Sequence, residues 1–146
     1  MSKAVPTRAD YKVFYPISTR WSDNDIYGHV NNVVYYSYFD TVANRYLIEE
    51  GGLDISDGNI VGFVVNSGCQ YHAAISYPES IEAGVRVDRL GNSSVQYGIA
   101  IFKQGLEQAV AHGHFVHVFV DRQANKSVPI PAPLRDALQR IASSLP

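Results

Sequence analysis

The chain holds one cysteine, Cys69, among its 146 residues, so it can form no internal disulfide. No apolar run approaches the roughly 20 residues of a membrane-spanning helix. The first ten residues, Met1 to Asp10, lack the apolar centre of a signal peptide. Together these absences lead us to expect a cytoplasmic protein. The net charge is only −2, which gives no reason to expect a nucleic-acid or anionic-membrane partner. No glycine-rich loop follows a strand, so a nucleotide cofactor is not expected. Repeats and low-complexity tracts are also missing. The length suits a single domain over residues 1–146, and a hydrophobic fraction of 46% is ordinary for a packed globular core.

Against this plain background one segment is dense in reactive polar groups. Residues 21–32 hold Asp23, Asp25, Gly28, His29, Asn31 and Asn32 between a strand-like run and the longest helical run. Two aspartates two apart point the same way in an extended segment. A carboxylate ionised at neutral pH is a mediocre general base but a usable nucleophile toward a reactive acyl group. Gly28 permits a positive φ or a close backbone approach. Asn31 or Asn32 suits the N-cap of the following helix. The first amides of that helix have no partner within it and can steady a developing negative charge. Taken alone, the same residues fit a plain turn and cap.

Their order carries more. Asp23 to Tyr35 matches, unbroken, the pattern Asp-x-Asp-x-x-Gly-His-Val-Asn-Asn-x-x-Tyr, and it precedes a long apolar helix. It resembles the hotdog-fold acyl-CoA thioesterases of the 4-hydroxybenzoyl-CoA thioesterase type. The resemblance implies an α+β hotdog fold: one mostly antiparallel five-stranded sheet wrapped around a long central helix, with a short C-terminal helix. It implies Asp25 as the catalytic carboxylate, acting as nucleophile or general base, and the backbone N–H of Asn32 as the group that polarises the thioester carbonyl. It further implies an acyl-CoA substrate, no cofactor, and a homodimer or homotetramer whose sites lie where subunits meet.

The patterning follows that order of elements. Tyr11 to Trp21 alternate with period two, with Pro16 marking a bulge or an edge. A helix is expected from Asn32 to Glu50, ended by Gly51-Gly52, and apolar so far round that it should be largely covered. A second strand runs from Ile60 to about Ala73, with Gly62 and Gly68 as expected bulges. Ile81 to Val87, Val95 to Ile101 and Gln108 to Val120 give three more strands joined by short turns, hence antiparallel. Pro129, Pro131 and Pro133 keep the next stretch extended before a short helix through Leu134, Leu138 and Ile141.

For the ligand, Gly28, Asn31 and Tyr35 are candidates beside Asp25. Arg86, Arg89 and Lys103 are the cations available to the CoA phosphates, and the resemblance implies CoA binding around the turn after the third strand, where Asn92, Ser93 and Ser94 offer further polar contacts. His29 is a possible catalytic partner, a substrate contact, or a loop-holding residue acting through Asp23; the last is the first choice. His112, His114 and His117 do not make a metal site, because on a strand His117 points away from the other two. Cys69 with His72 is better explained as a small apolar filler than as a nucleophile. Two further readings remain: a non-catalytic acyl-ligand or regulatory module on the same fold, and a dehydratase using His29 with a carboxylate.

Overall fold

Alternation sets the strands and the apolar stripe sets the helix. The computed structural model describes residues 5–56 and 58–142. In chain order it contains β1 (Val13–Ser18), α1 (Asn32–Gly51), β2 (Ile60–Tyr71), β3 (Ser80–Leu90), β4 (Ser94–Lys103), β5 (Ala111–Asp121), the two-residue β6 (Lys126–Ser127) and α2 (Ala132–Arg140). Among the described residues these strands all pair antiparallel, in the order β1-β3-β4-β5-β2, with β6 beside β5. The five expected strands are the five long ones. Residues 1–4, part of the stretch read for a signal peptide, lie outside the described residues. Arg8–Asp10 forms a 3-10 turn, held by an ion pair from Arg8 to Glu82 at 2.8 Å.

The helix α1 packs on one face of the sheet. Tyr35, Tyr38, Phe39, Val42, Ala43, Tyr46 and Leu47 repeat at the spacing of one helix face, and all are buried. They meet Ala83 and Val85 of β3, Tyr97 and Ile99 of β4 and Phe115 and Phe119 of β5 in one cluster. Each large side chain so buried contributes about 1.5–3 kcal/mol. Gly52 caps the helix at a left-handed φ of 71°. The expectation that α1 is largely covered fails on its outer side: Val33 is 69% exposed and Ile48 41%. The sheet reaches only one flank of the helix within a single chain. Among the described residues, no helix is long and apolar enough to cross a membrane.

The two sheet edges differ. The β1 edge carries Pro16, which lacks the N–H that a neighbouring strand would need. The β2 edge has no such guard: Ile60–Tyr71 contains no charged residue, and Phe63, Val64 and Val65 are exposed. The register of β2 against β5 shifts between Val64 and Asn66, not at Gly62 or Gly68 as expected. Both glycines make room for imidazoles instead. A Cβ on Gly62 would lie 3.1 Å from the His117 ring, and one on Gly68 would lie 2.6 Å from the His114 ring. The shift inverts the alternation, so Val64 sits opposite inward-facing His117 and Ser67 opposite inward-facing Phe115.

Candidate active site

The segment before α1 is built on Asp23. Trp21–Asp23 forms a 3-10 turn and buries the Asp23 side chain. That carboxylate accepts the Arg20 backbone N–H at 2.9 Å, the Arg20 Nε–H at 3.1 Å and the Tyr38 hydroxyl at 2.8 Å. Burial alone would raise its pKa. The Arg20 amide, the Tyr38 hydroxyl and the Arg20 guanidinium outweigh that effect and hold it below the usual carboxylate range. The Asp23 carbonyl accepts the Asn31 N–H at 2.9 Å, so one residue ties the start of the loop to its end. His29 does not do this work. It is exposed, and Asp23 is served by Arg20 and Tyr38.

Between those ties the chain turns at Gly28, whose φ is 82°. The Gly28 N–H donates to the Asp25 carbonyl at 3.0 Å, and the Asp25 N–H donates to the His29 carbonyl at 2.9 Å. The segment preceding β3 braces the turn. Ser76 Oγ donates to the Gly28 carbonyl at 2.9 Å, and the Tyr77 N–H donates to Asn24 Oδ1 at 3.0 Å. Asp25 is half-buried, and its Oδ1 accepts the Tyr27 N–H at 2.9 Å, which fixes the carboxylate's direction. It lines an open cleft of about 800 Å³ together with Trp21, Tyr27, Gly28 and Asn31.

The start of α1 completes the arrangement. Asn31 is the N-cap: its Oδ1 accepts the Val33 N–H at 3.0 Å, and its carbonyl accepts the Val34 N–H at 2.9 Å. The Val33 N–H is therefore occupied. The Asn32 N–H is left without an acceptor among the described residues, and Asn32 is exposed. A half-buried carboxylate and an unspent helix-terminal amide thus bracket the Gly28–Asn31 turn. This pairing can attack, or activate water toward, a carbonyl whose oxygen the amide steadies.

The other expected residues fall elsewhere. Gly28 and Asn31 line the cleft. Tyr35 is buried, its ring edge-on to Tyr71 at 4.9 Å, and burial pushes its hydroxyl up to about 12; it belongs to the core rather than the cleft. Arg86 is engaged on the sheet face away from α1: it donates to Asp88 Oδ1 at 2.7 Å and to the Asp10 carbonyl at 3.0 Å, and lies over the Tyr11 ring. Lys103 forms an ion pair with Glu79 at 3.2 Å. Arg89, Ser93 and Ser94 sit around the β3–β4 turn. The loop instead touches the segment before Ser80, and the length of β3, about 33 Å, separates the two places. One protomer therefore does not bring them together. His112 and His114 face one side of β5, and His117 is buried on the other. Burial pushes the Cys69 thiol up to about 11, and His72 pairs with His112 rather than with the thiol.

Three contributors escaped the sequence reading. Tyr38 had merged into the apolar helix stripe, and Arg20, three residues before Asp23, gave only the weak signal of a nearby opposite charge. Tyr71 donates its hydroxyl to the Asn32 carbonyl at 3.0 Å, from a strand nearly forty residues away, and nothing local announces it.

The family model of the thioesterase-like superfamily matches residues 19–138, from just before this loop into α2. The chain belongs to that superfamily. Among solved structures, the PA5185 protein of Pseudomonas aeruginosa is 57% identical, with 98% of this chain and 100% of that one covered and a TM-score of 0.95. The BH1999 gentisyl-coenzyme A thioesterase is 25% identical, covers 86% of this chain and 99% of its own, and has a TM-score of 0.77. YsmA, an uncharacterized protein of Bacillus subtilis (strain 168), is 25% identical over 122 residues, 83% of this chain and 81% of that protein. The antiparallel sheet with its long helix and short C-terminal helix is the hotdog-like arrangement of such thioesterases.

Proposed function

We propose that this protein hydrolyses an acyl-CoA thioester to the free acid and CoA. The observation that carries the reading is the Asp25 carboxylate in a cleft that Asn31, the N-cap of α1, also lines, with the Asn32 amide unspent among the described residues. The Asn32 N–H receives the carbonyl oxygen. Asp25 either attacks the carbonyl carbon, expelling CoA thiolate and leaving a mixed anhydride that water cleaves, or takes a proton from the attacking water. Membership of the thioesterase-like superfamily supports this chemistry, as does the likeness to a gentisyl-CoA thioesterase.

The unguarded β2 edge supports a homodimer in which two sheets join through β2. Antiparallel pairing about a two-fold axis would lay the Ile60 end of one copy beside Tyr71 of the other. Arg89, Ser93 and Ser94 of the second copy would then approach the Asp25 cleft, where they are available to the CoA moiety. The test is thiol release from a panel of acyl-CoAs, read as kcat/KM. Asp25→Asn keeps the fold and loses nearly all turnover. A variant with the wild-type rate would overturn the assignment, and absence of thiol release from every thioester, alongside measurable CoA binding, would mark a non-catalytic module.

A further inference from the structure

We propose that Glu79 is a positioning residue for the Asp25 carboxylate, acting from the segment before β3 through two peptide groups in series. The inference rests on the thioesterase reading for its kinetic consequence and on geometry alone for its structural one. Glu79 Oε1 accepts the Ser76 N–H at 2.7 Å. That N–H shares a rigid peptide plane with the Ile75 carbonyl, which accepts the Val30 N–H at 2.7 Å. The Val30 N–H in turn shares its plane with the His29 carbonyl, which accepts the Asp25 N–H at 2.9 Å. Hydrogen bonds and peptide planes thus join a carboxylate that does not line the cleft to the backbone amide of Asp25, which does.

Two flanking contacts widen the attachment: Ser76 Oγ donates to the Gly28 carbonyl, and the Tyr77 N–H donates to Asn24 Oδ1. With Val30, they hold the Asp25 turn at its entry, its tip and its return, so it resists tilting as a body toward or away from α1. Glu79 is itself seated. Its N–H donates to the Ser76 carbonyl at 2.8 Å, its carbonyl accepts the Thr19 hydroxyl at 2.9 Å, and its Oε2 pairs with Lys103 at 3.2 Å. The carboxylate's charge strengthens the bond to Ser76, and hydrogen bonds in a chain polarise one another. Removing the carboxylate leaves the Ser76 N–H to water, which holds no fixed place, so the Ile75–Ser76 peptide turns more easily. The Asp25 turn, its carboxylate still aimed by the Tyr27 N–H, then shifts as a unit. A displacement of a fraction of an ångström lowers turnover while leaving substrate affinity almost untouched, because every residue lining the cleft is kept.

The test compares Glu79→Ala, which loses the acceptor, with Glu79→Gln, which keeps an oxygen for the Ser76 N–H. Steady-state kinetics with the best acyl-CoA of the panel should show kcat falling roughly tenfold in Glu79→Ala with KM within twofold, and Glu79→Gln should recover most of that loss. In parallel, backbone amide exchange followed by NMR should be several-fold faster in Glu79→Ala at Ser76, Val30 and Asp25 and unchanged along β4. Retained kcat in a folded Glu79→Ala protein, a raised KM with retained kcat, or a Glu79→Gln protein as slow as Glu79→Ala overturns the positioning role. The wild type decides the relay without any variant, through NMR couplings across the hydrogen bonds from Val30 N to the Ile75 carbonyl carbon and from Asp25 N to the His29 carbonyl carbon. Their presence supports the relay and their absence overturns it. Should the wild-type protein release no thiol from any acyl-CoA, the functional reading falls by itself, and the couplings and the exchange rates still decide the relay.

Discussion

Proline at position 32 isolates the amide on which the proposed mechanism depends. Asn32 is the first residue of α1, the position where a helix tolerates proline best because the missing N–H has no acceptor in the helix. The residue before a proline must be extended, and Asn31 already is, at φ −62° and ψ 139°. The Asn32 carbonyl, which Tyr71 grips, is retained. Asn32→Pro therefore removes one hydrogen-bond donor at little structural cost, and unfolding stability should change by less than about 1 kcal/mol. Loss of a single oxyanion donor costs about 2.7–4 kcal/mol of transition-state stabilisation, so kcat should fall roughly 100- to 1000-fold. Thiol release under saturating acyl-CoA, with urea unfolding as the control for folding, measures both quantities. A folded Asn32→Pro protein that keeps a third of the wild-type kcat would refute the role of this amide, whatever Asp25 does.

Other consequences follow from charges and edges. His117 is fully buried among Tyr97, Phe115 and Phe119, its Nδ1 3.1 Å from the Tyr97 hydroxyl, and burial pushes its pKa down from 6.5 to about 4. Between those values the unfolded chain binds a proton that the native chain refuses, so stability falls with pH, reaching a loss of about 2 kcal/mol by pH 5 and about 3 kcal/mol by pH 4. From about pH 7.5 upward this group contributes almost no pH dependence. The difference in urea stability between wild type and His117→Gln, at fixed protein concentration, should show that slope, because the carboxylates common to both cancel; parallel curves would contradict it. Asp23→Asn removes the charge that Arg20 and Tyr38 serve and should destabilise the fold by about 2–3 kcal/mol, visible as a lower urea midpoint. If the protein forms the proposed dimer through β2, Val65→Lys, which places a charge on that unguarded edge, should shift it to monomer in sedimentation at micromolar concentration, with the fold kept; a wild type that is already monomeric would overturn the β2 dimer.

The site was legible in part because its chemistry is local. Asp25, Gly28, Asn31 and Asn32 lie within eight residues, and a turn, a cap and a helix N-terminus follow from short-range steric and hydrogen-bonding rules that the residue order expresses. The helix face from Tyr35 to Leu47 was readable for the same reason: burial on one side leaves a 3.6-residue period. What proved misleading were residues whose type was informative and whose direction was not. Arg86 is a cation near a turn in the sequence, but its guanidinium is taken up by Asp88, the Asp10 carbonyl and the Tyr11 ring. His29 sits inside the motif, yet its side chain is exposed while Arg20 and Tyr38 hold Asp23.

Sequence by itself thus determined the order of elements, the caps and the pairing of a carboxylate with a helix terminus, since each is fixed by neighbours a few residues apart. Only the tertiary structure decided that Gly62 and Gly68 yield space to His117 and His114, and that Tyr71 reaches back to the Asn32 carbonyl at the start of α1. Those outcomes depend on strand register and on which side chain arrives across the sheet. Register is a property of the assembled sheet, and the bulge between Val64 and Asn66 reverses which residues face inward.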